Sequence, residues 1–169
     1  MLRAPTCNYN YVLSLHTLPL ILNRPPRLDT TSIFRPHGRF HVRAEGQLLL
    51  TDVTGPWNRE LIEHWAQQAR QIAIGFSPDR PYIGVTTVHE SILCPADALN
   101  RIQRALEYSK TNLSCLANII IAADDVEGRD LVIDKYQRIG LDGFFADATS
   151  ATAWAFNKLR EYQSNSRAS

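Results

Sequence analysis

The chain lacks most of the features that name a function outright. It holds only three cysteines, Cys7, Cys94 and Cys115, an odd number with no C-x-x-C pair. Buried free thiols in a reducing compartment are the economical reading, which points to the cytoplasm. Charge of one sign is also missing, because eighteen Lys and Arg against seventeen Asp and Glu leave a formal charge of +1. No global field draws this protein to nucleic acid or anionic lipid. Arg24, Arg27, Arg35, Arg39 and Arg43 lie in or beside the N-terminal segment, spread out rather than interleaved with aromatics as a base-stacking platform requires. A nucleic-acid partner is therefore not expected. No G-x-G-x-x-G follows the second or third predicted strand and no G-x-x-x-x-G-K-[ST] occurs anywhere, which disfavours dinucleotide and P-loop nucleotide binding. No cofactor is expected.

Long apolar runs are absent too. Tyr11 to Leu22 is the most apolar stretch of the N-terminal part, but its 12 residues are interrupted by Ser14, His16 and Pro19 and are too few for a membrane-spanning helix. The run has the length of a signal-peptide core, yet one Arg precedes it and no small-x-small pattern follows. Residues 1–33 read instead as an arm or extension, disordered or packed on the domain or a partner, and Pro25, Pro26 and the stretch Asp29 to Ser32 read as a linker.

What remains is globular. A chain of 169 residues, 44% hydrophobic and 21% charged, has room for one substantial core and not for two ordinary domains. The expected domain spans 34–162, with its firmest part from Gly38 to Arg160, and residues 163–169, rich in Ser, Asn and Arg, read as a frayed tail.

Periodicity sets out the elements. Phe40, Val42 and Ala44 alternate with Arg39, His41 and Arg43, the pattern of a strand with one wet face. Glu45-Gly46 turns the chain and Gln47 to Thr54 returns as a hairpin partner. Pro56 lies near a helical first turn, and Leu61, Trp65, Ala69 and Ile72 then draw an apolar stripe. Tyr82 to Val88 is extended. Pro95 opens a helix with Ala98, Ile102, Ala105 and Ser109 on one face. Leu116 to Ala122, nearly all apolar, suits a strand covered on both faces. Asp124 or Asp125 is expected to cap a helix carrying Leu131, Val132, Tyr136 and Ile139 inward. Leu141 to Phe145 is a short last strand, and Asp147 starts a final helix through Ala151, Ala155 and Leu159. The order β-β-α-β-α-β-α-β-α predicts an α/β fold with a mixed, mostly parallel sheet and an antiparallel first hairpin.

Active sites of open α/β sheets lie beyond the carboxyl ends of the strands. There the chain offers His89, Glu90 and Ser91, then Asp124 and Asp125, then Asp147. His89 and Asp124 are acid-base or metal-capable groups, but neighbouring residues on a strand point to opposite faces, and solvated loop residues and helix caps are the plainer reading. Cys94 precedes Pro95 at a helix start, where the dipole would lower a thiol pKa; an inert half-buried position is the alternative. Trp57, in Gly55-Pro56-Trp57-Asn58, either seals the end of the core or stands exposed as an interaction anchor.

The hairpin, the junction Thr54-Gly55-Pro56-Trp57-Asn58, the three later strand-helix units and the closing Ala151 to Leu159 helix after Phe144-Phe145-Ala146-Asp147 together resemble the STAS domain superfamily, of sulphate transporter and anti-sigma-factor antagonist domains. The small stand-alone bacterial members are the nearest in kind. The likeness covers Phe34 to Tyr162. It implies a non-enzymatic domain that works by binding partner proteins, with regulatory members switched by phosphorylation of a Ser or Thr at the start of the helix after the third strand. Here that stretch is Cys94-Pro95-Ala96-Asp97, which has no hydroxyl, and Ser91 is the nearest substitute. The expectation is a protein-interaction or regulatory module, with a protein partner or a homodimer, using Trp57, Asn58, Ser91, Cys94 and Pro95 as anchors. Two alternatives stand beside it. One is a carrier or sensor of a small apolar ligand, with a closed pocket lined by Trp65, Ile102, Leu106 or Trp154. The other is an enzyme using His89, Cys94 or Asp124.

Overall fold

The structure is a computed structural model, and it describes residues 36–168, with side chains as far as Ser166. The expected arm, 1–33, and the first two residues of the expected domain lie outside the described residues.

The elements run β1 (Arg39–Glu45), β2 (Leu48–Thr54), α1 (Arg59–Ala73), β3 (Tyr82–His89), α2 (Ala96–Asn112), β4 (Cys115–Ala122), α3 (Arg129–Arg138), β5 (Gly143–Phe145) and α4 (Ala148–Ala168). The predicted α/β order is the observed one. The five strands form one sheet in sequence order; β1 and β2 are antiparallel, and β2, β3, β4 and β5 run parallel. Gly46, with φ of 60°, makes the left-handed turn between β1 and β2 that a side chain disfavours.

Each face of a parallel sheet has to be covered, because its strands are apolar on both sides. On one face Val53, Val88, Ile120 and Ala122 pack under Leu61 and Ile62 of α1, Ala98, Ile102 and Leu106 of α2, and Val132 and Tyr136 of α3. On the other face Ile83, Val85, Ala117, Ile119 and Ile121 meet Ala151, Ala155 and Leu159 of α4. The two alanines are fully buried, and their small size lets α4 lie close to the strands. Beyond α4 this second face turns polar, with Arg43 bonded to Asp52 at 2.7 Å on exposed side chains.

The helix ends differ from expectation in three places. Helix α3 is capped by Gly128, with φ of 80° and no side-chain cap, whereas the sequence reading puts Asp124 or Asp125 there. A parallel bridge between Ser91 and Glu127 carries the chain past both aspartates before the helix begins. A Cβ on Gly128 would also fall 2.3 Å from the Leu93 side chain, so glycine is required there on two counts. Pro56 lies outside α1, whose cap is Asn58. At the C-terminus, α4 continues to Ala168 instead of ending near Tyr162. Tyr162 donates its hydroxyl to the Pro78 carbonyl at 3.2 Å, tying this part of α4 to the loop before β3, and Ser164 and Ser166 hydrogen-bond carbonyls four residues back. Asp147 opens α4 as expected, its carboxylate accepting from the Ser150 N–H at 2.8 Å.

Asn58 holds two segments at once. Its side-chain oxygen accepts from the Leu61 N–H at 3.1 Å, within α1, and from the His37 N–H at 3.0 Å, ahead of β1. Asn58→Ala is expected to lower stability by about 1–2 kcal/mol, the range for loss of an N-cap. Urea unfolding followed by circular dichroism reads it, and Asn58→Asp, which keeps the acceptor, should recover most of the loss.

Candidate functional site

The residues that the sequence singles out gather at the carboxyl end of the parallel strands, where they are joined as structure. The Gly55 N–H donates to the His89 carbonyl at 3.2 Å and the Trp57 N–H to the Leu93 carbonyl at 3.3 Å, tying the start of α1 to the loop before α2. Trp57 is 4% exposed and sets its ring edge-on to Tyr136, with centroids 6.3 Å apart. Its ring is therefore part of the core. Its indole Nε1–H is buried without a hydrogen-bond partner among the described residues.

Ser91 is buried, and its Oγ accepts from the Leu93 N–H at 3.3 Å, a local loop bond that leaves the hydroxyl sequestered. Pro95 is exposed and is the N-cap of α2, without a side-chain cap; Ala96 and Asp97 follow, so no hydroxyl begins this helix. Cys94 is half-buried, with Sγ 3.6 Å from the Tyr136 hydroxyl. Burial pushes the Cys94 thiol up from its ordinary value, reversing the depression expected of a helix start, because desolvation outweighs the help of the Tyr136 hydrogen bond. His89 is the last residue of β3, and its Nε2 is 3.8 Å from Asp52 on the exposed face. Asp124 is exposed and pairs with Arg129 at 3.4 Å. Arg129 itself donates Nε–H to the Ala122 carbonyl at 2.9 Å and lies over the Phe144 ring, closing the end of β4. His89, Cys94 and Asp124 thus have three separate sets of neighbours. Among the described residues no three His, Cys, Asp or Glu side chains are grouped to hold a metal ion.

A different region is built like a site. The strand register puts Leu49, Gly84 and Asn118 in one row across β2, β3 and β4, and Thr51, Thr86 and Ile120 in the next. Both rows face α1 and α2. Gly84 makes room for the Asn118 side chain in that surface, since a Cβ there would fall 2.4 Å from Asn118 Oδ1. Above these rows is an apolar chamber of about 60 Å³, walled by Trp65, Leu61, Ile102 and Leu106. Beside it runs a groove of about 270 Å³ between α1 and α2, and Leu49, Trp65, Leu106 and Asn118 line both spaces.

Polar groups inside this region are fixed by one another. Trp65 Nε1–H donates to Thr51 Oγ1 at 3.1 Å; the Asn118 amide donates to Ser109 Oγ at 3.1 Å, and the Ser109 hydroxyl donates to the Leu106 carbonyl at 2.7 Å. Asn118 is steadied from behind as well, because its backbone N–H donates to the Asp142 carboxylate at 2.8 Å and Lys110 holds that carboxylate at 2.8 Å. Arg70, Arg101 and Arg104 stand along the groove. Arg101 bonds Glu63 and holds its carboxyl below the usual range.

Trp65, Ile102 and Leu106 are the residues the sequence names for a pocket, while Trp154 lies on the other side of the sheet against Phe145. Gly84, Asn118, Arg70 and Arg104 escape the sequence reading. The available signal was Asn118, an amide in the middle of an otherwise apolar strand, opposite a glycine.

No protein-family model matches the chain, and neither the curated proteins nor the solved structures contain a match to it.

Four buried or half-buried weak acids share one electrostatic sign. Desolvation raises the pKa of Tyr82, Cys94, Cys115 and Tyr136 alike. Their stabilising effect is fully present below the unfolded values, about 8.5 for thiols and about 10 for phenols, and is lost as pH rises through the raised native values. Stability measured by urea titration is expected to hold near neutral pH and to decline from about pH 9 upward. The double variant Cys94→Ala, Cys115→Ala should move the onset toward the phenol range, and a wild-type curve flat to pH 10.5 would contradict this account.

Proposed function

We propose that this chain is a non-enzymatic binding module with a STAS-like arrangement, which holds a small, largely apolar molecule in the chamber and groove between α1, α2 and the sheet. The element order and the antiparallel first hairpin on an otherwise parallel sheet support the resemblance. The observation that carries the ligand reading is the chamber and adjoining groove between the helices and the sheet, with largely apolar walls and neighbouring polar groups already hydrogen-bonded. A site of this kind offers hydrophobic burial together with a few fixed polar groups for orientation. The groove of about 270 Å³ exceeds the ~150 Å³ of an apolar cavity that admits benzene, so a ring or a short acyl chain fits it.

The interaction-module reading receives less support from the same geometry. Trp57 is buried, and the exposed large apolar residues Ile74, Tyr108, Leu131 and Phe156 are dispersed over α2, α3, α4 and the end of α1. Single exposed apolar residues are ordinary on a protein surface. An enzymatic role for His89, Cys94 or Asp124 is disfavoured by their separate surroundings. A regulatory role fits the ligand reading, with occupancy of the chamber in the place of phosphorylation, because α2 begins without a hydroxyl.

Decanol, titrated below its solubility limit and followed by tryptophan fluorescence and by thermal shift, tests the proposal. Binding with a rise in melting temperature is expected. Ala105→Leu, which adds carbons to the groove wall, should weaken decanol binding by about tenfold or more while changing stability little, because the wall is open to solvent. Ala153→Leu, at an exposed position on α4, should bind as the wild type does. Equal binding by wild type and Ala105→Leu would place the ligand elsewhere and sink the proposal.

A further inference from the structure

The rim of the groove differs in charge from its lining. Arg70 comes from α1, and Arg101 and Arg104 come from α2, with Tyr108 among them. The Arg101 guanidinium is committed to Glu63, with Nε to Oε2 at 2.5 Å and Nη2 to Oε1 at 3.3 Å. Glu107, the nearest acid along α2, accepts from Gln103 at 2.9 Å. Arg70 and Arg104 are both exposed, and among the described residues neither forms an ion pair.

Arg70 is nevertheless held in place. Its Cζ lies over the Tyr108 ring, 5.0 Å from the centroid. Such a contact positions a guanidinium without consuming its N–H donors, which stay available for a carboxylate or phosphate. Two unneutralised cations on opposite walls of one opening also repel one another, weakly in water, and an anion seated between them would turn repulsion into attraction. The groove therefore has an apolar interior and a cationic rim with donors to spare.

From this juxtaposition we infer that the molecule held in the chamber is an amphiphile with an anionic head, its apolar body lying between α1 and α2 and its carboxylate or phosphate oxygens held at the rim by Arg70 and Arg104. The inference rests on the ligand-binding reading and adds the chemistry of the head group to it. Arg101, already bonded to Glu63, is not one of the head-group contacts in this scheme.

Isothermal titration at low ionic strength with decanol, decanoate and decyl phosphate separates the two levels. The probes go into wild type and the double variant Arg70→Gln, Arg104→Gln, whose fold is checked by its melting temperature. Wild type is expected to bind at least one of the anions about tenfold or more tighter than decanol, as charge-assisted hydrogen bonds require. The double variant should bring that anion down to the affinity of decanol and leave decanol itself unchanged, and added salt should narrow the wild-type preference. A lead for decyl phosphate identifies a phosphate head, and a lead for decanoate a carboxylate; either supports the inference. Equal affinity for all three probes in wild type, or an anion preference that survives the double substitution, overturns the anionic head and leaves the apolar site standing. Failure of all three to bind wild type overturns the ligand-binding reading and this inference with it.

Discussion

The covering of a parallel sheet on both faces is the constraint from which the rest of this structure follows. β3 and β4 lie in the middle, so their side chains point alternately into two helical layers and neither layer can be dispensed with. Three helices share one layer and α4 alone supplies the other. A single helix covers only part of a five-stranded sheet, and the uncovered strip over β1, β2 and the end of β3 is accordingly charged or polar, with Arg43, Asp52 and His89 exposed. The three-helix layer has the opposite difficulty. Its α1 and α2 must meet a surface that includes glycine, threonine and asparagine, and they do not close over it completely. The chamber is the space left by that imperfect fit, and polar bonds from Trp65 and Asn118 keep it open in a defined shape.

The framework was legible in the sequence because solvent writes it there. One wet face makes β1 alternate between Arg39, His41 and Arg43 and their apolar neighbours, and an apolar stripe every three or four residues marks α1 and α2. Positions decided by a distant partner left no such trace. Whether Trp57 is buried depends on Tyr136, far along the chain, which meets its ring. The cap of α3 depends on the Ser91–Glu127 bridge and on the Leu93 side chain, so a local preference for aspartate at Asp124 was overruled. The site was the least legible part. Gly84 and Asn118 lie 34 residues apart in the numbering and meet only through strand register, and Arg70 and Arg104 share a rim only because α1 and α2 pack side by side.

The thiol reading turned on the same distinction between local and tertiary effects. A helix start lowers a thiol pKa by a local field, and that much is visible in Cys94-Pro95. The loss of water on burial acts in the other direction and dominates, even against the Tyr136 hydrogen bond. Cys94 is half-buried and Cys115, at the start of β4, is buried, and desolvation raises the pKa of both thiols.

The Asp142 carboxylate has a wider meaning than the support it gives to Asn118. β5 is only three residues long, and just ahead of it the main chain of Asp142 donates to the Asn118 carbonyl while its side chain accepts the Asn118 N–H, so one residue supplies both partners that a longer strand would provide. The Asn118 N–H on the outer side of β4 is thus taken by a side chain where β5 has not yet begun. At the opposite margin, β1 carries Arg39, Arg43 and Glu45, charges that make a poor template for strand addition. A sheet that ends in a three-residue strand at one margin and a charged strand at the other offers little edge for growth from molecule to molecule.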